Sequence, residues 1–509
     1  MLVGNPVHVY SLVTRLTTTL GYLRREMSSV PQVSGLERGI TTILRHGDWP
    51  DSADIEGVTQ AVARVMFTYN LDPLDMSRGL IHGHQTSARL SAADMFNIAY
   101  TRSTGHHPLR PGLGPEFALS IQWAEAARTR LEMSEDGEKN NHLLETINKF
   151  LAQTRHDHDQ HWQSPDTNPG NLPNEEYFIE KIGDSGRSGR EMRLLEADMI
   201  EDDLDHVKPG YYIREFNALC RGEQLRRKNQ SSDAGKICVL TSNGDMYHML
   251  SPYKLEIVSL DPVLFLYHDV LSDQEMQLMK SQAGSQLVIS AMQDTTGGSG
   301  AGAKVTNERT QSNAWLWDHL EPVMHRLSLK TGSLARLETA QKQLNLVPGQ
   351  PVPVIEAEAW QVGIYGPGGH YLPHYDTFDF DLPDPTSYTD QGQWVGNRIA
   401  TVMYYLSDVV GGSTAFPRLG EATRATRGAA VFWFNLADDG GREDLSLHGA
   451  CPTALGIKWV SNKWIREGAQ IWTRPCEARH NVNNTCDSVI CEENFKINNN
   501  IFNQTRFHL

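Results

Sequence analysis

The sequence lacks several features that would assign it to common classes of protein. It has no apolar run of the roughly 20 residues needed to cross a bilayer, so we expect no membrane span. Its 46 Lys and Arg are outnumbered by 62 Asp and Glu, and this acidic balance disfavours nucleic acid as a partner. Its cysteines include no Cys-x-x-Cys pair, which speaks against a zinc ribbon or a thioredoxin-like redox site. A multidomain enzyme or binding protein remains.

The first residues also lack the pattern of a secretory signal peptide. Apolar residues recur at helical spacing from Val9 to Met27, but three arginines interrupt the stripe. Asn5 is suited to cap a helix whose first residue is Pro6. We therefore expect a folded helix here rather than a leader.

Helical patterns continue through the following residues. Apolar residues between Val58 and Tyr69 again recur at helical spacing, and Ser91 with Asp94 has the spacing of a capping box. We interpret residues 1–80 as an N-terminal helical region and residues 84–154 as a second helical region. The paired helices of the second region fit a tetratricopeptide-like arrangement or a plain helical bundle, because no second full-length repeat is visible.

The composition then changes three times. Residues 155–208 are polar and rich in Pro, Gly and Asp, which is typical of a linker. Residues 209–476 contain β-type runs between Gly/Pro turns, at 263–267, 359–365, 399–406 and 429–436. Residues 477–509 form an Asn-rich tail. The sequence thus predicts an α+β multidomain protein, with a helical N-terminal half followed by a jelly-roll or double-stranded β-helix domain.

A group of metal-ligating side chains lies in the β region. In YGPGGHYLPHYDTF, His374 and Asp376 are two residues apart, so in an extended strand they project to one face. His448, in LSLHGACP, offers a third ligand. Two His and one Asp leave positions open around iron(II) for a chelating co-substrate and dioxygen. Lys458, a short distance further on, supplies a cation for the distal carboxylate of 2-oxoglutarate.

Four ordered blocks surround these residues: GIYGPGGHYLPHYDTF, GNRIATVMYYLSDVVGGSTAFP, AAVFWFNL and HGACPTALGIKWVSNKWI. Together they resemble consecutive motifs of the collagen prolyl 4-hydroxylase α-subunit family, whose fold is the double-stranded β-helix. The resemblance implies that Lys458 binds 2-oxoglutarate, that Tyr365 helps to hold it, and that Thr401 lines the same pocket. The iron ligands that it implies are His374, Asp376 and His448.

The resemblance also implies an activity of the procollagen-proline dioxygenase type. Hydroxylation of peptidyl proline would be coupled to oxidative decarboxylation of 2-oxoglutarate to succinate and CO2. The expected cofactors are Fe(2+), 2-oxoglutarate, O2 and L-ascorbate. The expected substrate is a proline-rich or collagen-like peptide, bound in the family by a helical domain that residues 84–154 resemble. The implied partner is protein disulfide isomerase as β-subunit, and the implied compartment is the endoplasmic reticulum lumen.

Two disulfide bonds follow from the same resemblance, Cys220 with Cys238 and Cys451 with Cys476. Such bonds are typical of the secretory pathway. Three Asn-x-Ser/Thr sequons would be usable only there, although sequons also arise by chance. They begin at Asn229, Asn483 and Asn503. No KDEL-type retention signal is present in the sequence.

Two other functions remain open. One is a non-catalytic peptide-binding subunit, in which residues 84–154 do the work and the oxygenase domain is vestigial. The other is an oxygenase acting on a non-collagen peptide, because the helical region is shorter than that of the family. Tyr100 and Trp123 are candidates for stacking on proline rings, although packing within a helix pair is the simpler role for both.

Overall fold

The computed structural model describes residues 4–29, 50–104, 117–133, 141–163, 212–223, 225, 237–290, 309–319, 322–340, 356–378, 389–390, 393–470 and 473–474. The three sequons, Cys476, the tail 477–509 and residues 164–208 of the predicted linker lie outside these ranges. Among the helices of the described ranges, none is both long and apolar enough to cross a membrane.

Helices dominate the N-terminal half, as the sequence predicts. The helices of this half are α1 (Pro6–Ser29), α2 (Ser52–Tyr69), α3 (Pro73–Ser77), α4 (Ala92–Thr104), α5 (Phe117–Glu132), α6 (Asn141–Gln163), α7 (Ile213–Cys220) and α8 (Met246–Leu250). Two more helices follow in the C-terminal half, α9 (Asp273–Gly284) and α10 (Pro322–Ala335). The predicted caps are confirmed. The Asn5 side chain accepts from the Val7 amide at 2.9 Å, and Ser91 and Asp94 bond reciprocally as a capping box.

The strands are short and antiparallel. They are β1 (Leu80–Ile81), β2 (His84–Gln85), β3 (Ile237–Thr241), β4 (Tyr253–Leu260), β5 (Val263–His268), β6 (Val288–Ile289), β7 (Ser312–Leu316), β8 (Trp360–Tyr365), β9 (Tyr371–His374), β10 (Thr389–Asp390), β11 (Gln393–Trp394), β12 (Arg398–Tyr405), β13 (Val410–Gly411), β14 (Thr414–Phe416), β15 (Glu421–Thr423), β16 (Ala430–Phe434), β17 (His448–Ala450), β18 (Thr453–Leu455) and β19 (Lys458–Arg466).

Two sheets face each other in the C-terminal region. The major sheet has nine strands in the order β3-β4-β5-β16-β12-β19-β8-β7-β6, and the minor sheet has four in the order β15-β14-β17-β9. Phe416 of the minor sheet meets Trp433 of the major sheet with ring centroids 5.4 Å apart, in a core that also includes Tyr405. Two facing antiparallel sheets confirm the predicted double-stranded β-helix.

The outer face of each sheet is covered by helices. On the major sheet, Val402 and Phe432 pack in one core with Met279 of α9 and Leu327 of α10. On the minor sheet, the cover comes from the N-terminal half. Leu372 of β9 and Ala415 of β14 share a core with fully buried Val62 of α2 and Trp123 of α5. Residues 1–80, residues 84–154 and the minor sheet therefore form one continuous core, and the boundary predicted near residue 80 does not separate two cores.

The predicted disulfide pairing is wrong. Cys220 bonds to Cys451, 231 residues further along the chain, with Cα atoms 5.5 Å apart. The physical reason is that α7 packs on β14 and β15 of the minor sheet, which brings Cys220 to the turn after β17. Cys238 has a free thiol on the exposed edge strand β3. Because Cys451 is bonded to Cys220, it is not the partner of Cys476.

The linker prediction also changes at its start. Helix α6 runs to Gln163, so residues 155–163 are helical. They are polar but contain neither Gly nor Pro, and polarity alone does not end a helix.

Candidate metal and co-substrate site

Strand register brings two imidazoles together. β9 pairs with β17 so that His374 lies directly opposite His448. Asp376 follows the end of β9 and turns its carboxylate toward both rings. One oxygen lies 3.7 Å from His374 Nε2, and the other lies 3.7 Å from His448 Nε2. Ligand atoms of all three side chains lie within 4.8 Å of one another, a spacing that a single metal ion can bridge.

The imidazoles are held in the tautomer that binds metal through Nε2. His374 Nδ1 lies 2.8 Å from the Leu372 carbonyl, and His448 Nδ1 lies 2.9 Å from the Ser446 carbonyl. Because a carbonyl oxygen can only accept, Nδ1 carries the proton and Nε2 keeps its lone pair. Burial and the neighbouring His448 lower the pKa of His374 to about 3, so its ring is neutral at physiological pH.

Asp376 is oriented by its own set of donors. Thr401 Oγ1 donates to Asp376 Oδ2 at 2.7 Å, and Asn435 Nδ2 donates to Thr401 Oγ1 at 2.9 Å. Arg398 Nη1 donates to the Asp376 carbonyl at 3.2 Å. Burial opposes ionisation of this carboxyl, but its interactions with His448, His374 and Arg398 outweigh burial and hold its pKa below the ordinary value. The site therefore presents one carboxylate beside two imidazoles whose Nε2 atoms face it.

A buried ion network lies behind Asp376. Glu358 accepts from Arg398 Nε at 2.7 Å and from Arg398 Nη2 at 2.8 Å, a bidentate pair. Arg466 Nη1 donates to the same carboxylate at 3.0 Å. The pair fixes the Arg398 guanidinium, which in turn holds the backbone of a predicted metal ligand.

Lys458 is a buried amine on the major sheet of the same domain. It begins β19 directly opposite Tyr365 of β8, and it is 1% exposed. Its Nζ lies 5.4 Å from the Tyr365 ring centroid and 5.5 Å from that of Tyr405. No atom of the described residues hydrogen-bonds to this nitrogen, and burial lowers the pKa of the amine to about 7.

This arrangement fits the predicted cofactors. A buried amine without a partner carries a large desolvation penalty unless a ligand supplies the missing anion. The distal carboxylate of 2-oxoglutarate would do so. Two imidazoles and one carboxylate on the same side of a metal form the facial set that suits non-haem iron(II) and leaves positions open.

The structure adds a contact for one expected residue and reveals other residues of the site. Thr401 lies against Asp376, a predicted metal ligand, and its place in the 2-oxoglutarate pocket stays a prediction. Sequence analysis missed Asn435, although it stands within AAVFWFNL, and it missed Tyr405. Strand alternation could have found Asn435, because it follows β16 directly and is two residues from Trp433, which is opposite Thr401.

Comparison with known proteins agrees with this geometry. Residues 360–466 match the 2OG-Fe(II) oxygenase superfamily. Residues 1–83 match the family described as Prolyl 4-Hydroxylase alpha-subunit, N-terminal region. The fold, the ligand set and the first of these matches define the class: the protein is a 2OG-Fe(II) oxygenase.

Individual relatives extend the match along the chain. Prolyl 4-hydroxylase subunit alpha-1 of Mus musculus is 29% identical over 507 residues, covering 93% of this chain and 84% of the relative. Prolyl 4-hydroxylase subunit alpha-2 of Caenorhabditis elegans is 29% identical over 508 residues, covering 94% and 84%. The chain is thus similar to prolyl 4-hydroxylase α-subunits over nearly its whole length.

A solved structure also resembles the chain. It is the viral collagen prolyl hydroxylase of Paramecium Bursaria Chlorella virus-1 in its 2OG complex. The two are 22% identical, and the likeness covers 40% of this chain and 95% of that one with a TM-score of 0.29. A likeness this loose carries no argument, and the fold assignment rests on the strand topology described above.

Proposed function

We propose that this chain is a prolyl 4-hydroxylase α-type enzyme, which hydroxylates peptidyl proline while 2-oxoglutarate is converted to succinate and CO2. One observation carries the proposal. The three side chains that could hold iron lie in the same barrel as a buried amine that has no partner among the described residues. The first requirement of a 2-oxoglutarate oxygenase is a metal site with open positions, and the second is an anchor for the co-substrate.

Different side chains of the site would bind the metal and the co-substrate. His374, Asp376 and His448 would hold the iron from one side, and Lys458 would bind the distal carboxylate of 2-oxoglutarate. When bound, iron, 2-oxoglutarate and O2 supply the oxidising power, and ascorbate would restore over-oxidised iron. The protein orients these groups and excludes water from them. Tyr405 lies beside the lysine, with its ring centroid 5.5 Å from Lys458 Nζ. Its hydroxyl donates to Thr414 Oγ1 at 2.7 Å and so holds the ring in place within the sheet core.

The second helical region would bind the peptide. Tyr100 on α4 is 57% exposed, and its ring lies 6.2 Å from that of Phe150 on α6. Phe96 meets the same Phe150 ring edge-on at 5.3 Å. This aromatic group presents flat surfaces of the kind that dock proline-rich segments. Trp123 is fully buried and serves the core instead. The substrate would be a collagen-like peptide or another proline-rich peptide.

The proposed function also implies a partner subunit and a cellular compartment. We propose protein disulfide isomerase as the β-subunit and the endoplasmic reticulum lumen as the compartment. Both are supported by the similarity to prolyl 4-hydroxylase α-subunits, and the lumen also by the Cys220–Cys451 disulfide. A non-catalytic peptide-binding subunit is the weaker alternative. A vestigial site would have no need of Thr401 and Asn435 in the positions that orient a metal ligand.

The test is hydroxylation measured by mass spectrometry. The purified chain, with iron, 2-oxoglutarate and ascorbate, is offered a (Pro-Pro-Gly)-type peptide and a proline-rich peptide without the Gly repeat. We expect a mass gain of one oxygen on proline in at least one of them, matched by succinate and absent in His448→Ala. If neither peptide is modified, and protein disulfide isomerase does not restore the reaction, the proposal is wrong.

A further inference from the structure

One face of α2 lies against a turn of the oxygenase domain. Ala61 and Arg64 are three residues apart and so share this face. Arg64 Nη1 donates to the Gly368 carbonyl at 2.6 Å. Gly368 has a φ of +73°, and a Cβ there would lie 2.7 Å from the Ala61 carbonyl oxygen. The helix therefore approaches as closely as a glycine allows, and it meets the turn that leads into β9 and His374.

Tyr69, the last residue of α2, contacts two further loops. Its hydroxyl donates to the Pro452 carbonyl, and it accepts from the Gly412 amide at 3.1 Å. The side chain is 4% exposed. A Cβ at Gly411 would lie 2.3 Å from the hydroxyl oxygen, so the tyrosine occupies the space beside this turn. One hydroxyl thus joins the loop before β14 to the loop after β17.

The first of these loops borders the predicted 2-oxoglutarate site. A Cβ at Gly412 would lie 3.3 Å from Cδ of Lys458, so the backbone of this turn packs on the stem of the lysine. The second loop begins three residues after His448, and it bonds back to the first turn, since the Gly368 amide donates to the Thr453 carbonyl at 2.7 Å. A displacement of Gly412 would therefore free the lysine stem on one side.

We propose that Tyr69 is a positioning residue for the 2-oxoglutarate site. Its hydroxyl holds the Gly411–Gly412 turn against Lys458, so the N-terminal helical region completes the active site of the oxygenase domain. The inference rests on the proposed function, because it assumes that Lys458 binds the co-substrate. If Tyr69 only filled space, removing its hydroxyl while keeping the ring would not affect the 2-oxoglutarate site.

The test compares two tyrosines that differ in location and in little else. Tyr10 of α1 is also buried, and its hydroxyl donates to a backbone carbonyl, that of Asp94, at 3.2 Å. This bond joins α1 to α4 within the helical region and does not involve the loops beside Lys458. Tyr69→Phe and Tyr10→Phe each remove one hydroxyl and keep the ring. The full chain is loaded with Mn(II), which allows binding without turnover, and titrated with 2-oxoglutarate and, separately, with the metal.

We expect Tyr69→Phe to raise the Kd for 2-oxoglutarate about tenfold, the size of one buried hydrogen bond, because of the two bonds that it removes the one from the Gly412 amide holds the turn beside Lys458. The Kd for Mn(II) should be unchanged, and in turnover the KM for 2-oxoglutarate should rise more than kcat falls. Tyr10→Phe should leave both constants at wild-type values. Equal 2-oxoglutarate affinity in Tyr69→Phe and wild type would overturn the inference.

A second measurement needs no variant. Hydrogen exchange on the wild-type chain should show that saturating 2-oxoglutarate slows exchange in the peptide containing Gly412 and in the peptide containing Tyr69. Unchanged exchange in both peptides, with binding demonstrated, would also overturn the inference. Failure of the proposed function has a different signature, since metal-loaded wild type would then bind no 2-oxoglutarate at all.

Discussion

Replacing Lys458 with Met should stabilise the protein while it destroys co-substrate binding. Most substitutions of fully buried residues destabilise, so the sign is informative. Burial lowers the pKa of this amine from 10.5 to about 7. At pH 7 the unfolded chain therefore binds a proton that half of the folded molecules have released. This difference in proton binding destabilises the folded state by about 4 kcal/mol. Lys458→Met removes that penalty, and the change of side-chain shape costs at most about 1.5 kcal/mol. The net effect should therefore be stabilising.

The pH dependence of the free energy of unfolding tests the direction of this stability change a second time. An amine whose pKa is lower in the folded state than in the unfolded state destabilises the folded state most at pH values below the folded pKa. This destabilisation fades as the pH rises toward the pKa of the unfolded chain. The advantage of Lys458→Met should thus shrink from pH 7 to pH 9, because the penalty in wild type falls to about 2 kcal/mol. For the same reason, the Kd of wild type for 2-oxoglutarate should rise by roughly tenfold per pH unit above the pKa of about 7.

Lys463 supplies the matched control. It lies on the same strand and is equally buried, but its Nζ donates to Asp318 Oδ1 at 3.0 Å. Lys463→Met leaves a buried carboxylate without its partner and should destabilise by about 3–5 kcal/mol. Both variants are unfolded by denaturant in metal-free protein at pH 7 and pH 9. If Lys458→Met destabilises as Lys463→Met does, the amine of Lys458 has a partner in the free protein and the reasoning fails.

Three further predictions concern the metal, the disulfide and the peptide. His448→Ala should abolish decarboxylation of 2-oxoglutarate and weaken Mn(II) binding by at least tenfold in a titration, and wild-type turnover would remove this residue from the site. Peptide mapping without reductant should yield a fragment joining Cys220 to Cys451, and a free thiol at either position in folded protein would contradict the structure. Tyr100→Ala should weaken binding of a proline-rich peptide about tenfold in fluorescence titration. Tyr22→Ala, at a tyrosine that is equally exposed on α1, should leave peptide affinity unchanged.

Local patterns predicted the parts of this molecule that depend on local physics. Asn5 and Ser91 cap helices because a short side chain next to free amides is enough to satisfy them. The four β runs became β5, β8, β12 and β16 because apolar, β-branched sequence between turns favours strands. His374 and Asp376 were found for a similar reason, since two-residue spacing and ligand chemistry are both visible in the sequence.

What the sequence did not reveal depends on contacts between distant segments. The partner of Cys220 is decided by where α7 packs, and no local pattern records that placement. The role of Thr401 is decided by the register that sets it beside Asp376, and a sequence match could give only the neighbourhood. Tyr69 stands in a helical stripe that reads as core, and nothing in that stripe distinguishes a tyrosine that holds a loop from one that fills space.

The contacts of α2 have a consequence for synthesis of the protein. Arg64 meets a turn 304 residues further along the chain, and Tyr69 meets a carbonyl 383 residues away. The ribosome releases α2 early, yet the surfaces it covers appear only when the last strands emerge. Until then the part of α2 that meets Gly368 and Pro452 stays uncovered, and closing such long loops is slow. The predicted metal site can therefore assemble only after β17 has been made, because a nascent chain stalled before this strand lacks His448.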